Sequence, residues 1–193
     1  VAMRFRQAYN IKVEGGRFTK LHSVMWATGG GGNGITVEDI DAEFCKNGVS
    51  FGTSTPVAVK NSTIDAEIYA VRADGSGAYN LTVANSTLEA EVPVIVRNTT
   101  GKEYNLTVAE DVTLTATNGG PQVVVTKDSD DVPYVAPTVK VNVTLNNDAS
   151  TFGLVAKIGN KYYSTLDEAF AVATEDQTIV LLADATPVLT SQR

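Results

Sequence analysis

With 193 residues, the chain is long enough for one domain with a real core, or for one domain and a small appendage. A net charge of −7 without any basic stripe argues against nucleic acid as a partner, because neutralising phosphates needs clustered Lys and Arg. No apolar run reaches the roughly eighteen residues of a spanning helix, so no membrane span is expected.

The chain opens at Val1-Ala2-Met3-Arg4-Phe5 without a signal-peptide pattern, as a mature form or an excised fragment does. Val1 to Asn10 alternates apolar with basic residues and contains no helix start and no proline, so nothing there reads as a cap. From Ile11 onward an apolar-x-apolar triplet returns again and again: Ile11-Lys12-Val13, Ile35-Thr36-Val37, Val57-Ala58-Val59, Leu81-Thr82-Val83, Leu106-Thr107-Val108 and Val139-Lys140-Val141. The last spacing is stretched by an insertion, Asp130 to Pro137. The copy is closest between Ala70 and Thr115, where Arg72, Tyr79 and Asn80 recur as Arg97, Tyr104 and Asn105. Such self-similarity marks a unit that cannot bury its apolar face alone and stacks on copies of itself.

After each triplet a second strand alternates apolar and acidic residues: Ile40 to Phe44, Ile64 to Ile68 and Leu88 to Val92. Period two predicts one buried face, with Ile40, Ala42, Phe44, Ile64, Ala66, Ile68, Leu88, Ala90 and Val92 pointing inward. A third strand closes the unit at Val24 to Trp26, Tyr69 to Val71, Val94 to Val96 and Val123 to Val125. Three short strands per turn, with no helix between them, predict an all-β fold. The expected form is a right-handed parallel β-helix of about six coils over residues 1–154. Asn80 above Asn105 would then form a ladder at about 4.8 Å, the strand spacing of a sheet.

Few residues carry recognisable chemistry. Cys45 is the only cysteine, which rules out an internal disulfide, and with only Lys46 nearby it reads as a small strand-end residue rather than a reactive thiol. His22 is the only histidine, which removes most imidazole schemes and any His-rich zinc site. Gly29 to Gly34 lacks the Lys-Ser/Thr of a phosphate loop and opens onto a strand, so it reads as a corner of the first coil. Asn61, Asn80, Asn85, Asn98, Asn105 and Asn142 each begin an Asn-x-Ser/Thr sequon. They mark either a glycosylated surface or turn asparagines copied along with each coil. Both readings favour a secreted or cell-surface location.

The outer face of the second strand holds the one carboxylate constellation. Asp41, Asp65 and Glu89 form one expected column and Glu43, Glu67 and Glu91 another, side by side on one outer face. Three uses are open: a solvated face, a divalent cation site for calcium, or a glycosidase cleft.

Residues 155–193 change character. Val155 to Tyr163 reads as a hairpin around Gly159-Asn160, followed by a helix capped by Ser164 or Thr165. Asp167 and Glu168 stand in its first turn, and Leu166, Ala169, Phe170 and Ala173 form its expected buried stripe. An apolar strand, Thr178 to Leu182, follows.

The segment VAKIGNKYYSTLDEAFAVATEDQTIVLLADAT resembles a module of secreted and surface proteins of gut bacteria that carry pectin-lyase-like right-handed β-helices. In that group the helix leads into a β-helix and covers its first coil. Here it follows the repeats, so the resemblance implies either a further β-helix downstream or a cap on something else. It also implies two functional classes. One is a non-catalytic surface repeat domain, an adhesin or scaffold contacting a polysaccharide or host glycan. The alternative is a polysaccharide lyase or glycoside hydrolase using the carboxylate face, and fold alone does not choose between them. The bare first coil adds a further expectation, head-to-tail self-association.

Overall fold

Each apolar-x-apolar triplet forms a strand with two side chains facing inward, and each circuit of the chain lays the next triplet on it in parallel. The computed structural model describes residues 1–7, 9–29, 33–75, 79–98, 104–126, 141–145, 149, 153–159, 161–163 and 165–185. Gly30 to Gly32, the insertion Asp130 to Pro137, Val139-Lys140, Asn160 and Ser164 lie outside the described residues.

β1 (Met3–Arg6) precedes the first circuit of β2 (Ile11–Glu14), β3 (Arg17–Thr19) and β4 (Ser23–Gly29). The second is β5 (Ile35–Glu38) and β6 (Asp41–Thr53), and the third is β7 (Val57–Lys60) and β8 (Thr63–Gly75). The fourth is β9 (Tyr79–Ala84), β10 (Thr87–Ala90) and β11 (Val92–Asn98). β12 (Tyr104–Val108), β13 (Thr113–Ala116), β14 (Val123–Thr126) and β15 (Val141–Leu145) complete the stack. One sheet has the order β15-β12-β9-β7-β5-β2, and a second runs through β1, β4, β6, β8, β10 and β13. Every pairing in these two sheets is parallel.

This is a β-solenoid of about four turns, not the six expected. Six strands on one face bound the circuits between them, and from Ile11 the chain returns to that face at Ile35, Val57, Leu81 and Leu106. The passage to β15 then runs through residues outside the described set. The last triplet also shifts. Val143-Thr144-Leu145 stands level with Leu106-Thr107-Val108, where Val139-Lys140-Val141 was expected.

The interior is built from two aliphatic columns on this face. Ile35, Val57, Leu81 and Leu106 form one, and Val37, Val59, Val83 and Val108 the other, all buried. Burying each such side chain contributes about 1.5–3 kcal/mol before chain entropy is counted. Opposite them lie Met25, Val49, Val71, Val94 and Val123, again buried and in register. Ile40, Ala42, Ile64, Ala66, Leu88 and Ala90 face inward as expected.

Phe44 does not: it is 70% exposed, with φ of 53°. A left-handed residue at the corner turns its side chain outward and brings Cys45 inward instead. The register records the extra residue. Ala42 pairs with Ile64 but Cys45 with Ala66, and the third turn recovers it when Asn47 pairs with Tyr69. Ile68 and Val92, also expected inside, are only partly buried. At this corner Gly48 is required, because a Cβ there would overlap the Ala70 carbonyl.

The C-terminal module follows the expected order. β16 (Ala156–Ile158) pairs antiparallel with β17 (Lys161–Tyr163) and with β18 (Ile179–Leu181). Helix α1 (Leu166–Val172) begins at Thr165 in a capping box: the Thr165 hydroxyl accepts from the Glu168 N–H, and the Glu168 carboxylate accepts from the Thr165 N–H. Leu166 and Ala169 are buried, and with Ala156 and Tyr163 they join the solenoid core. Phe170, expected in the buried stripe, is 51% exposed.

Two measurements check this arrangement. Ile64→Ala should cost about 2–5 kcal/mol in urea denaturation, while Phe44→Asn should stay within about 1 kcal/mol, since Asn tolerates the left-handed corner. Burial, with the Glu168 charge adding to it, raises the Tyr163 phenol above its ordinary value of about 10. Its stabilising contribution is therefore present below the unfolded pKa and lost as pH rises through the higher folded value. Stability should fall in strongly alkaline solution, and Tyr163→Phe should flatten that fall in melts taken across pH.

Candidate functional site

The expected acidic columns hold between the third and fourth turns only. Asp65 stands level with Glu89, and the Glu91 N–H donates to the Glu67 carbonyl at 3.1 Å. Asp41 stands level with Thr63, not Asp65, because the step between the second and third turns is two residues shorter than the step expected. Glu43 falls short of Glu67 for the same reason.

Four of these carboxylates, Asp41, Glu43, Asp65 and Glu91, are engaged where they stand. Arg17 reaches Glu43 at 2.7 Å and Asp41 at 3.5 Å, tying the first turn to the second. Asp65 accepts from the Phe44 N–H at 3.5 Å and Glu91 from the Asn118 amide at 3.3 Å. Among the described residues, the carboxylate group that converges tightly enough for a metal is Glu14, Glu38 and Asp39, none of them in the expected columns. The Lys12 ammonium already sits there, 2.8 Å from Glu14 and 2.7 Å from Glu38. Those hydrogen bonds, the one to Glu14 first, push the Lys12 pKa up and keep it charged.

The sequon asparagines divide in two. Asn61 and Asn85 follow the first strand in left-handed conformation, as does Asp39, and so form a corner ladder. The Asn85 amide donates to the Asn61 carbonyl oxygen at 2.8 Å, and Asp111 accepts from the Asn85 N–H at 2.7 Å. Beneath them Ser62 and Ser86 are buried and bonded between turns, Ser86 Oγ accepting from the Ser62 N–H. This corner lines a shallow polar groove of about 200 Å³. Asn80, Asn105 and Asn142 instead share a register on the first-strand face, with the Asn105 amide donating to Asn80 at 2.8 Å. The side chains of Asn98 and Asn142 lie outside the described set.

A different face gathers the groups best suited to contact a ligand, and the sequence reading did not find it. Outward positions of the third strands place Arg4, Trp26, Ser50 and Arg72 in one column. The Arg4 guanidinium lies 4.8 Å from the Trp26 ring centre, and Trp26 is 39% exposed. Ser50 Oγ is 2.8 Å from the Tyr69 hydroxyl, and Arg72 packs over the Tyr69 ring at 5.5 Å. Asp74 accepts from both Arg72 and Arg97, at 3.2 and 3.1 Å. Beside this column, Ser23, Asn47 and Tyr69 stand level with one another. Asn47 is buried, donates to Ser23 Oγ at 3.4 Å, and leaves its Oδ1 without a hydrogen-bond partner among the described residues. His22 Nδ1 lies 3.2 Å from the same Ser23 hydroxyl. Ser23 is thus buried and held from two sides, a position that suits structure better than nucleophilic attack.

Ser23, Asn47, Ser50 and Tyr69 are buried, so the part of this face open to a ligand is the Trp26 indole with the Arg4 guanidinium on it, which can bind by stacking. Aligning Trp26 with Ser50 and Arg72 at successive third strands would have revealed this column. Comparison with protein-family models, with curated proteins and with solved structures finds no match to this chain.

The Lys12 arrangement yields a direct test of cation binding. Thermal melts of the chain should be indifferent to added calcium or chelator, because the ammonium already bridges two of the three convergent carboxylates, Glu14 and Glu38. Lys12→Ala should lower the melting temperature, and calcium should then restore it, as a ligand specific to the native state does.

Proposed function

We propose that this chain is a non-catalytic secreted or cell-surface repeat domain, a rigid scaffold or adhesin that contacts glycans through the Trp26 face. The observation that carries the reading is the use of outward polar groups as ties between turns. Arg17 holds Asp41 and Glu43, Lys12 holds Glu14 and Glu38, Arg97 meets Asp74, and asparagine amides link successive rungs. Carboxylates spent in this way stiffen a rod, whereas an acid–base pair needs two of them facing one cleft. Trp26, 39% exposed with the Arg4 guanidinium 4.8 Å from its ring centre, supplies an aromatic surface on which a sugar ring can stack.

The C-terminal module's resemblance supports right-handed coiling and a place among pectin-lyase-like surface proteins. The sequons support a location outside the cytoplasm. Glycosylation at Asn85 or Asn105 would have to break a ladder bond made by the amide nitrogen itself.

A panel of acidic and neutral polysaccharides tests the reading when retention and cleavage are scored together. At least one polysaccharide should retard the protein in affinity electrophoresis without yielding new reducing or unsaturated ends. Trp26→Ala should weaken that retardation about tenfold, equivalent to roughly 1.4 kcal/mol. Product formation lost in Glu43→Gln or Glu89→Gln would establish the hydrolase or lyase reading instead.

A further inference from the structure

Asparagine is followed by glycine at three places, Asn33-Gly34, Asn47-Gly48 and Asn118-Gly119. Such a pair is chemically special because the backbone nitrogen of the second residue can attack the asparagine Cγ, and glycine puts no side chain in the way. The fold treats the three pairs differently. Asn47 and Gly48 are buried inside β6. The Asn47 N–H donates to the His22 carbonyl at 3.1 Å, its side-chain amide to Ser23 Oγ at 3.4 Å, and the Gly48 backbone is pressed against the Ala70 carbonyl. Gly34 is held from both neighbouring turns. Its carbonyl accepts from the Ile11 N–H at 3.2 Å, and a Cβ on it would overlap the Pro56 carbonyl.

Asn118 stands in the open. β13 ends at Ala116, and Thr117 and Asn118 form a turn closed by the Gly119 N–H, which donates to the Ala116 carbonyl at 3.1 Å. Both Asn118 and Gly119 are exposed; Gly119 has φ of 72°, and a Cβ there would meet nothing within 4 Å. Freeing the Gly119 nitrogen therefore needs only this one turn to open, whereas freeing Gly48 needs β6 to leave the stack. The Asn118 side chain is also oriented. Its Oδ1 accepts from the Gly120 N–H at 2.8 Å, so charge that builds on this oxygen as Cγ is attacked falls on a donor already in place. Its Nδ2 donates to the Glu91 carboxylate at 3.3 Å and ties the fourth turn to the next.

We propose that Asn118 is a site of spontaneous modification, where the folded chain converts its own side-chain amide into a carboxylate. The Gly119 nitrogen gives its proton to solvent base and bonds to Cγ; the Cγ–Nδ2 bond breaks and the nitrogen leaves as ammonia. Water then opens the resulting ring at either carbonyl, yielding aspartate or isoaspartate, with no oxidant or cofactor required. The product carries a negative charge where a donor to Glu91 had been. One tie between turns becomes a repulsion between two carboxylates, and the change is one-way.

Peptide mapping by mass spectrometry, with isoaspartate labelled by its methyltransferase, tests the site. The folded chain and the chain in guanidinium chloride are incubated in parallel at mildly alkaline pH. Folded, Asn118 should convert about tenfold or more faster than Asn47 and Asn33, because local opening exposes it first. In guanidinium chloride the three pairs should react at similar rates. The consequence is read in melts at low salt. Asn118→Asp should lower the melting temperature, and Glu91→Gln added to that variant should recover most of the loss. A folded chain in which Asn118 converts no faster than Asn47 overturns the inference. An Asn118→Asp variant that melts with the unmodified chain at low salt overturns the loss of the tie.

Discussion

In-register stacking of inward side chains is the constraint on which everything else rests. Leu81 is buried because Val57 lies on one side of it and Leu106 on the other, and each neighbour depends on the next in the same way. The parallel hydrogen bonds hold this registry, and the side-chain columns make slippage costly, since a shift of one residue would invert every strand. Nearest-neighbour stability of this kind tolerates variation in a single turn as long as the columns realign. The second turn shows how: it carries an additional residue at Phe44, pushes it outward in left-handed conformation, and the third turn restores the count before Val71.

Corners set what the outer faces can do. Asp39, Asn61 and Asn85 take the left-handed conformation that ends each first strand, and the N–H groups that follow the first two, at Ile40 and Ser62, are satisfied by the buried hydroxyls of Ser62 and Ser86. Each corner therefore meets its own hydrogen-bonding needs from the turn above. The same economy governs Glu38, Glu43, Asp65 and Glu91, which bond to lysine, arginine, backbone and asparagine of a neighbouring turn. A face whose polar groups are already mutually engaged is stiff and well solvated. The Trp26 indole stays exposed beside these ties.

The first and last described turns differ in how far their inward residues are covered, although both belong to one core. At the far end the capped helix and hairpin close the last described turn, with Ala156 and Ala169 fully buried against it. At the near end, inward residues of the same columns stay half covered. A solenoid has no intrinsic terminus, so its length is set by whatever blocks the next rung.

Much of this was legible in the residues alone. The recurring triplets, the strict alternation of Ile64 to Ile68, the hairpin about Gly159 and the Thr165 cap each depend on chemistry within a few positions of one another. The NVTL of residues 142–145 also copies the NLTV of 105–108, a signal that places the last strand correctly. What could not be read was which outward side chains meet. That depends on the summed length of every corner between them: two residues lost between the second and third turns move Asp41 beside Thr63, and one gained at Phe44 moves Cys45 beside Ala66. The Trp26, Ser50 and Arg72 column has the same origin. Local sequence determined the strands, the inward faces and the caps, because those follow from period and backbone preference. Only the tertiary structure decided the neighbours across turns, because registry is a property of the whole stack.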